Sequence, residues 1–241
     1  MSKHLGNVLD PFELFDRHGA DAVRWLMLAG GSPWMDRRVG HEPLEEIVRK
    51  VLLTYWNTAS FFLLYASSAG FVPGQTAAPR IEERPLLDRW AISELHACVL
   101  EVDAALEDFD SARAGRRLGT LIDDLSNWYV RRSRRRFWNG DPAALATLYE
   151  CLDIITRLLA PFTPFMTDRL WQSLVVDVAG DSRPDSVHLE AWPQVDGELV
   201  DGSLGRQVAL VRRLVELGRA ARASANSSGS AVVVRSPVIR T

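Results

Sequence analysis

Ser126-Asn127-Trp128-Tyr129-Val130-Arg131-Arg132-Ser133-Arg134-Arg135-Arg136-Phe137-Trp138 is the stretch on which the reading of this chain turns. Five arginines (Arg131, Arg132, Arg134, Arg135 and Arg136) fill six consecutive positions, and four aromatics flank them: Trp128, Tyr129, Phe137 and Trp138. No glycine or proline interrupts the run and a leucine-periodic segment leads into it, which predicts helix. At helical spacing Trp128, Arg131, Arg135 and Trp138 share one stripe. Aligned like charges repel, and a polyanion or carboxylates from elsewhere in the fold would relieve that repulsion. Guanidinium forks fit phosphate oxygens, and aromatic faces take unstacked bases. The competing reading is a solvated arginine-rich helix with core aromatics and internal salt bridges.

Upstream of this stretch, Ala114, Leu118, Leu121, Ile122 and Leu125 form the inner face of the same helix, and Asp110 is its expected cap. Leu87 to Phe109 and Pro43 to Ala69 carry the same 3.6-residue period, with Trp56 and Phe61 widening the apolar stripe of the second. That stripe predicts burial on more than one side. Between them, Gly70 to Pro85 holds Pro73, Gly74, Pro79 and Pro85 and reads as a loop. Near the start, Asp10, Pro11 and Glu13 open a short helix that Gly19 stops, and Ala20 to Ala29 form a second. Downstream, Asn139-Gly140 closes the arginine helix, and Asp141-Pro142 opens the next, with Leu145, Leu148, Leu152, Ile155 and Leu159 inside. Thr163 and Pro164 are placed to cap a short helix carrying Met166, Leu170, Trp171 and Leu174. Residues 175–203 read as irregular. A last amphipathic helix runs from Leu204 past Val215, and Asn226 to Ser230 read as flexible. Ala231 to Arg235 is a short β-prone run. The fold class is therefore all-α, an antiparallel helical bundle with a short N-terminal appendage.

Net charge is −3, which on the totals does not suggest a nucleic-acid binder. The distribution does: residues 111–140 hold eight arginines against Asp123 and Asp124, a local +6 that leaves −9 elsewhere. We expect the two aspartates to balance Arg116, Arg117 or other nearby arginines. Cys98 and Cys151 sit apart in apolar patterns, as small buried side chains of a reducing compartment. Without a Cys/His cluster we expect no zinc or other metal. Val51 to Ala66 is broken by Thr54, Asn57, Thr58 and Ser60, so it reads as a core helix rather than a membrane span, and the start lacks signal-peptide order. Cytoplasm is the expected location. His96 and His188 take no role.

Met1-Ser2-Lys3-His4-Leu5-Gly6-Asn7-Val8-Leu9-Asp10-Pro11, followed by His18-Gly19-Ala20-Asp21-Ala22-Val23-Arg24, resembles the segment starting at the KMSKS signature of class I aminoacyl-tRNA synthetases, most of all the isoleucyl family. Asn127 to Trp138 resembles that family's anticodon-binding domain. Leu158 to Phe165 and Ser186-Val187-His188-Leu189 with Trp192-Pro193 match it too. The signature's first lysine is absent, His4 stands in place of its final serine, and no HIGH-type motif occurs.

The resemblance implies a bundle of the class I anticodon-binding type. It places a KMSKS-loop and stem-contact remnant at 1–34, the anticodon-binding domain at 35–223, and the start of a C-terminal junction module at 224–241. It implies a parent that activates isoleucine with ATP and Mg and transfers it to tRNA(Ile). The nucleotide-binding and editing domains would lie upstream, so the chain alone is expected to be inactive, monomeric and without a bound cofactor. Lys3 matches the lysine that clamps ATP phosphates, with Ser2 and His4 supporting it. Trp128, Arg131, Arg132, Arg135, Arg136 and Trp138 are the implied tRNA contacts, the tryptophans as stacking faces or as packing. Trp128, Tyr129, Phe137 and Trp138 read equally well as core or helix-end packing. The alternatives are a free-standing RNA-binding module or the matching portion of a valyl or leucyl enzyme.

Overall fold

The computed structural model describes residues 9–32, 34–36, 38–179 and 182–227. Eight helices, and no strand, occur among them. They are α1 (Pro11–His18), α2 (Ala20–Ala29), α3 (41–69), α4 (Leu86–Glu107), α5 (111–138), α6 (Pro142–Leu159), α7 (164–179) and α8 (Gly202–Ser227). Ser2, Lys3, His4 and the β-prone run after residue 230 lie outside the described residues. No described helix is long and apolar enough to cross a membrane.

Local chemistry sets the helix ends. Asp10 accepts from the Phe12 amide at 2.9 Å and Asp110 from that of Arg113 at 2.9 Å; Asp141 accepts from those of Ala143 and Ala144. Gly140 takes a positive φ of 67° behind α5, as a left-handed helix stop requires. Thr163 does not cap α7 as the sequence suggested. The buried Asp21 carboxylate of α2 reaches across 145 positions and accepts from the amides of Phe165 and Met166. A full negative charge at a helix N-terminus outcompetes a hydroxyl there.

Short turns between α4, α5 and α6 make an antiparallel trio, and α3 lies against α5 and α6. Leu95, Leu118, Ile122, Leu145, Leu148, Leu152 and Ile155 are fully or almost fully buried between them. Tyr55 of α3 is fully buried, its hydroxyl donating to the Leu152 carbonyl at 2.9 Å. Trp56 is 38% exposed, so α3 is less enclosed than its wide stripe suggested. Helices α1 and α2, expected as a separate appendage, are built into the bundle. Trp25 packs on Phe162 with ring centroids 5.6 Å apart, and Leu14, Val23 and Leu26 share a small core with Leu44 and Leu52 of α3. The 70–85 loop is pinned: Arg84 binds the Pro79 carbonyl, Thr147 and Glu150. Residues 175–203, expected to be irregular, start with the end of α7 and hold short 3-10 turns at Val187–Leu189 and Gly197–Leu199. Separately, residues 201–241 form a second unit, in which Asp201 caps α8 through the Ser203 and Leu204 amides.

Candidate nucleic-acid interface

The arginine face depends on how α5 is wound. Leu121, Leu125, Tyr129, Ser133 and Phe137 recur every fourth residue, and all are buried. In a straight α-helix such a stripe drifts by about 40° per step. One wide π turn at Asp124–Val130 absorbs the drift and keeps Tyr129, Val130, Ser133 and Phe137 inward. Arg131, Arg132, Arg134, Arg135 and Trp138 are thereby turned out. Phe137 anchors this end edge-on against Phe61 at 5.2 Å and Tyr129 at 6.1 Å. Cations in the last turns of a helix also oppose the partial negative charge of its C-terminus.

Seven of the eight arginines of 111–140 fall into two groups. Arg113 pairs with Asp108, Arg117 with Glu94 and Glu101, and Arg136 with Asp88 and Asp141. These acids come from α4 and the turns, so Arg117, one of the arginines that Asp123 and Asp124 were expected to balance, is paired elsewhere. Asp123 accepts from Asn127 at 2.7 Å instead, and Asp124 is buried. Arg136 leaves the set of phosphate contacts for the same reason. Its guanidinium is held on the fully buried Asp88 carboxylate, and that pairing raises its pKa above the ordinary arginine value. Among the described residues, no carboxylate pairs with Arg131, Arg132, Arg134 or Arg135.

Trp128 and Trp138 part company. The Arg132 guanidinium carbon lies 3.6 Å from the centroid of the half-buried Trp128 ring, a cation–π stack that holds Arg132 in place. Trp138 is 78% exposed. Tyr129 is fully buried and donates to Asp88 at 3.0 Å. Beside this face, a cleft of about 300 Å³ runs between α3 and α5, lined by Asn57, Thr58, Phe61, Ser126, Asn127 and Arg131 among others. Sequence reasoning passed over Arg134 and the α3 residues of this cleft. An amide next to an aromatic at Asn57–Phe61 was the available signal, and only the α3–α5 packing brings it to the arginines.

The family described as the anticodon-binding domain of tRNA ligase matches residues 88–235, a span that contains the arginine face. The chain belongs to this family. Isoleucine–tRNA ligase of Streptomyces avermitilis is 58% identical over 240 residues, covering 100% of this chain and 22% of that protein. The Thermobifida fusca ligase of the same name is 59% identical over 247 residues, again 22% of its length. The chain thus spans about a fifth of these relatives. In fold it is similar to LeuRS of Agrobacterium radiobacter K84, solved in a ternary complex with tRNA and LeuAMS. The TM-score there is 0.62 at 23% identity, over 83% of this chain and 23% of that one. Methionyl-tRNA synthetase of Mycobacterium tuberculosis gives a TM-score of 0.58 at 18% identity, over 79% and 41%. The all-α fold of this chain thus recurs within both of those synthetases.

Proposed function

We propose that this chain holds the anticodon arm of an isoleucine tRNA on the outer face of α5, as the reading portion of an isoleucine–tRNA ligase. One observation carries this: four arginines that pair with no carboxylate among the described residues stand on the outer side of α5, within the span that the family matches. Arg131, Arg132, Arg134 and Arg135 meet backbone phosphates, each releasing condensed counterions. Trp138 offers a stacking face, and Trp128 backs Arg132. The neighbouring cleft accepts an unstacked base, whose edges meet the Asn57 and Asn127 amides over the Phe61 ring.

Activation of isoleucine with ATP and Mg is assigned to other parts of such a ligase, because the aligned segment is 22% of the Streptomyces avermitilis protein. Within this chain Lys3, with Ser2 and His4, is assigned the ATP phosphates once those parts are present. The chain works as one copy in the cytoplasm, where its tRNA is used. Equilibrium binding to tRNA with an isoleucine anticodon, titrated across salt against the same tRNA with a changed anticodon, tests the reading. Anticodon-dependent affinity that falls linearly on a log–log salt plot is expected. Equal binding to both tRNAs would remove the reading role. Isoleucine-dependent pyrophosphate exchange by the chain alone would overturn the assignment of catalysis elsewhere.

A further inference from the structure

The polar groups that line the cleft between α3 and α5 are not equivalent. The Thr58 hydroxyl donates to the Thr54 carbonyl at 2.8 Å and is held within its own helix. Asn57 lies exposed, and among the described residues its amide has no hydrogen-bond partner. Asn127 is exposed as well, but its amide is not free to turn. From Nδ2 it donates to the Asp123 carboxylate, one helical turn before it, at 2.7 Å. An ionised carboxylate only accepts, so the amide nitrogen must be the atom that faces Asp123. A hydrogen bond to a charged group is about twice as strong as a neutral one. The Asn127 carbonyl oxygen, Oδ1, is therefore left as a fixed acceptor, and among the described residues nothing donates to it.

A fixed acceptor beside a free amide discriminates between bases. Adenine and cytosine carry an exocyclic amine beside a ring nitrogen that accepts, whereas guanine and uracil place a carbonyl where that amine stands. The amine donates to Asn127 Oδ1, and the ring nitrogen accepts from the Asn57 amide, which can turn to meet it. A carbonyl in the same place would meet Oδ1 lone pair against lone pair. Phe61 supplies an apolar wall for the base. Arg131 and Arg134 also line the cleft, and no carboxylate is among its lining residues. Asp123 stands behind Asn127, and Asp124 is buried. The wall is thus cationic, as a base that arrives with its phosphates requires, and the two arginines serve those phosphates.

We propose that Asn127, positioned by Asp123, selects an amino base in this cleft, and that the base is the central adenine of the anticodon. Every isoleucine codon has uracil in the middle, so an isoleucine anticodon has adenine there. The proposal rests on the reading of the outer face of α5 as an anticodon site, and it names the pair of residues that decides which base is accepted.

The test is equilibrium binding of this chain to tRNA with an isoleucine anticodon, made with either adenosine or purine riboside at the central position. Purine riboside lacks only the amine. The parent chain is expected to bind the adenosine form about tenfold or more tighter. Asn127→Ala should bring that ratio close to one. Asp123→Ala should do the same although it leaves Asn127 in place. Asp123→Asn, whose own amide oxygen still accepts from Asn127, should restore most of the ratio. The charge that Asp123→Ala removes acts on both tRNAs alike, so it does not move the ratio. A ratio near one in the parent chain overturns the proposal, as does a ratio that survives in Asn127→Ala or in Asp123→Ala. Failure of the underlying reading looks different: changing the whole anticodon then leaves affinity unchanged. Affinity that still depends on the anticodon but ignores the amine keeps that reading and overturns this proposal alone.

Discussion

Arg136 grips Asp88 at both carboxylate oxygens across 48 positions of sequence, with the Tyr129 hydroxyl on one of the same oxygens. Asp88 is fully buried, whereas Arg136 keeps 24% of its side chain exposed. Removing one partner of a buried pair strands the other, at a cost of about 3–5 kcal/mol, with the upper end discounted here for the solvent that reaches Arg136. Asp88→Ala should therefore lower the urea midpoint strongly. Arg136→Gln should do so as well while leaving the salt dependence of tRNA binding unchanged in the folded protein. A shallower salt slope for Arg136→Gln would return this arginine to the RNA face.

Arg131 and Arg135 are expected to behave in the opposite way. Both are exposed, and among the described residues no carboxylate pairs with them, so replacing either by Gln should change stability by no more than about 0.5 kcal/mol. Each substitution should weaken tRNA binding across all sequences. It should also flatten the log–log salt slope by about 0.7–0.9 for each phosphate that is no longer neutralised.

This contrast shows how far the sequence can be read. Composition marked the arginine run as unusual, but it could not sort Arg136 from its neighbours, because Asp88 lies on another helix. The division follows from the π turn at Asp124–Val130, which no period-3.6 reading contains. The helices, and the caps at Asp10, Asp110 and Asp141, were legible because their causes are local. The α7 cap was not. It is Asp21, supplied by α2, and Thr163 donates instead toward the Leu159 carbonyl. The α3 wall of the cleft and the burial of α1 and α2 likewise depend on pairing between distant segments.

The two tryptophans should separate stacking from support. Trp138→Ala is expected to leave the melting temperature nearly unchanged and to cost about 1–3 kcal/mol of tRNA binding, with loss of most tRNA-induced fluorescence quenching. Trp128→Ala should lower both stability and affinity, since it removes a half-buried ring and the platform under Arg132. Equal stability losses in the two variants would show Trp138 to be packing rather than a face for bases.

The joint between α1 and α3 is sensitive to acid. His18 Nε2 and His41 Nδ1 are 2.8 Å apart, and Arg17, paired with Glu45, stands beside them. Partial burial, then the facing His41 ring and the Arg17 charge, hold His18 below its ordinary value, with Glu45 opposing. The unfolded chain therefore takes up this proton first. The contribution is complete above a pH of about 6.5 and is lost as pH falls from there through the folded value. Melting curves between pH 8 and 5 should show that decline, and His41→Gln should flatten it. An unchanged pH profile in His41→Gln would exclude the pair as its source.

Two glycines of α5 test whether packing or propensity governs the α2–α5 contact. A Cβ on Gly115 would lie 2.2 Å from the Ala29 Cβ and 3.1 Å from its Cα, far inside van der Waals contact and against backbone that cannot swing aside. On Gly119 the nearest atom would be Trp25 Cζ2 at 3.9 Å, an ordinary contact. Helix propensity favours alanine at both sites by about 1 kcal/mol. At Gly115 overpacking of about 1–3 kcal/mol opposes that gain and should win, because α2 must back away along its length. Gly115→Ala should then melt lower than the parent and Gly119→Ala at or above it. If both rise, α2 is free to shift, and the tilted Trp25–Phe162 contact that fixes it against the bundle is weaker than its 5.6 Å centroid separation implies.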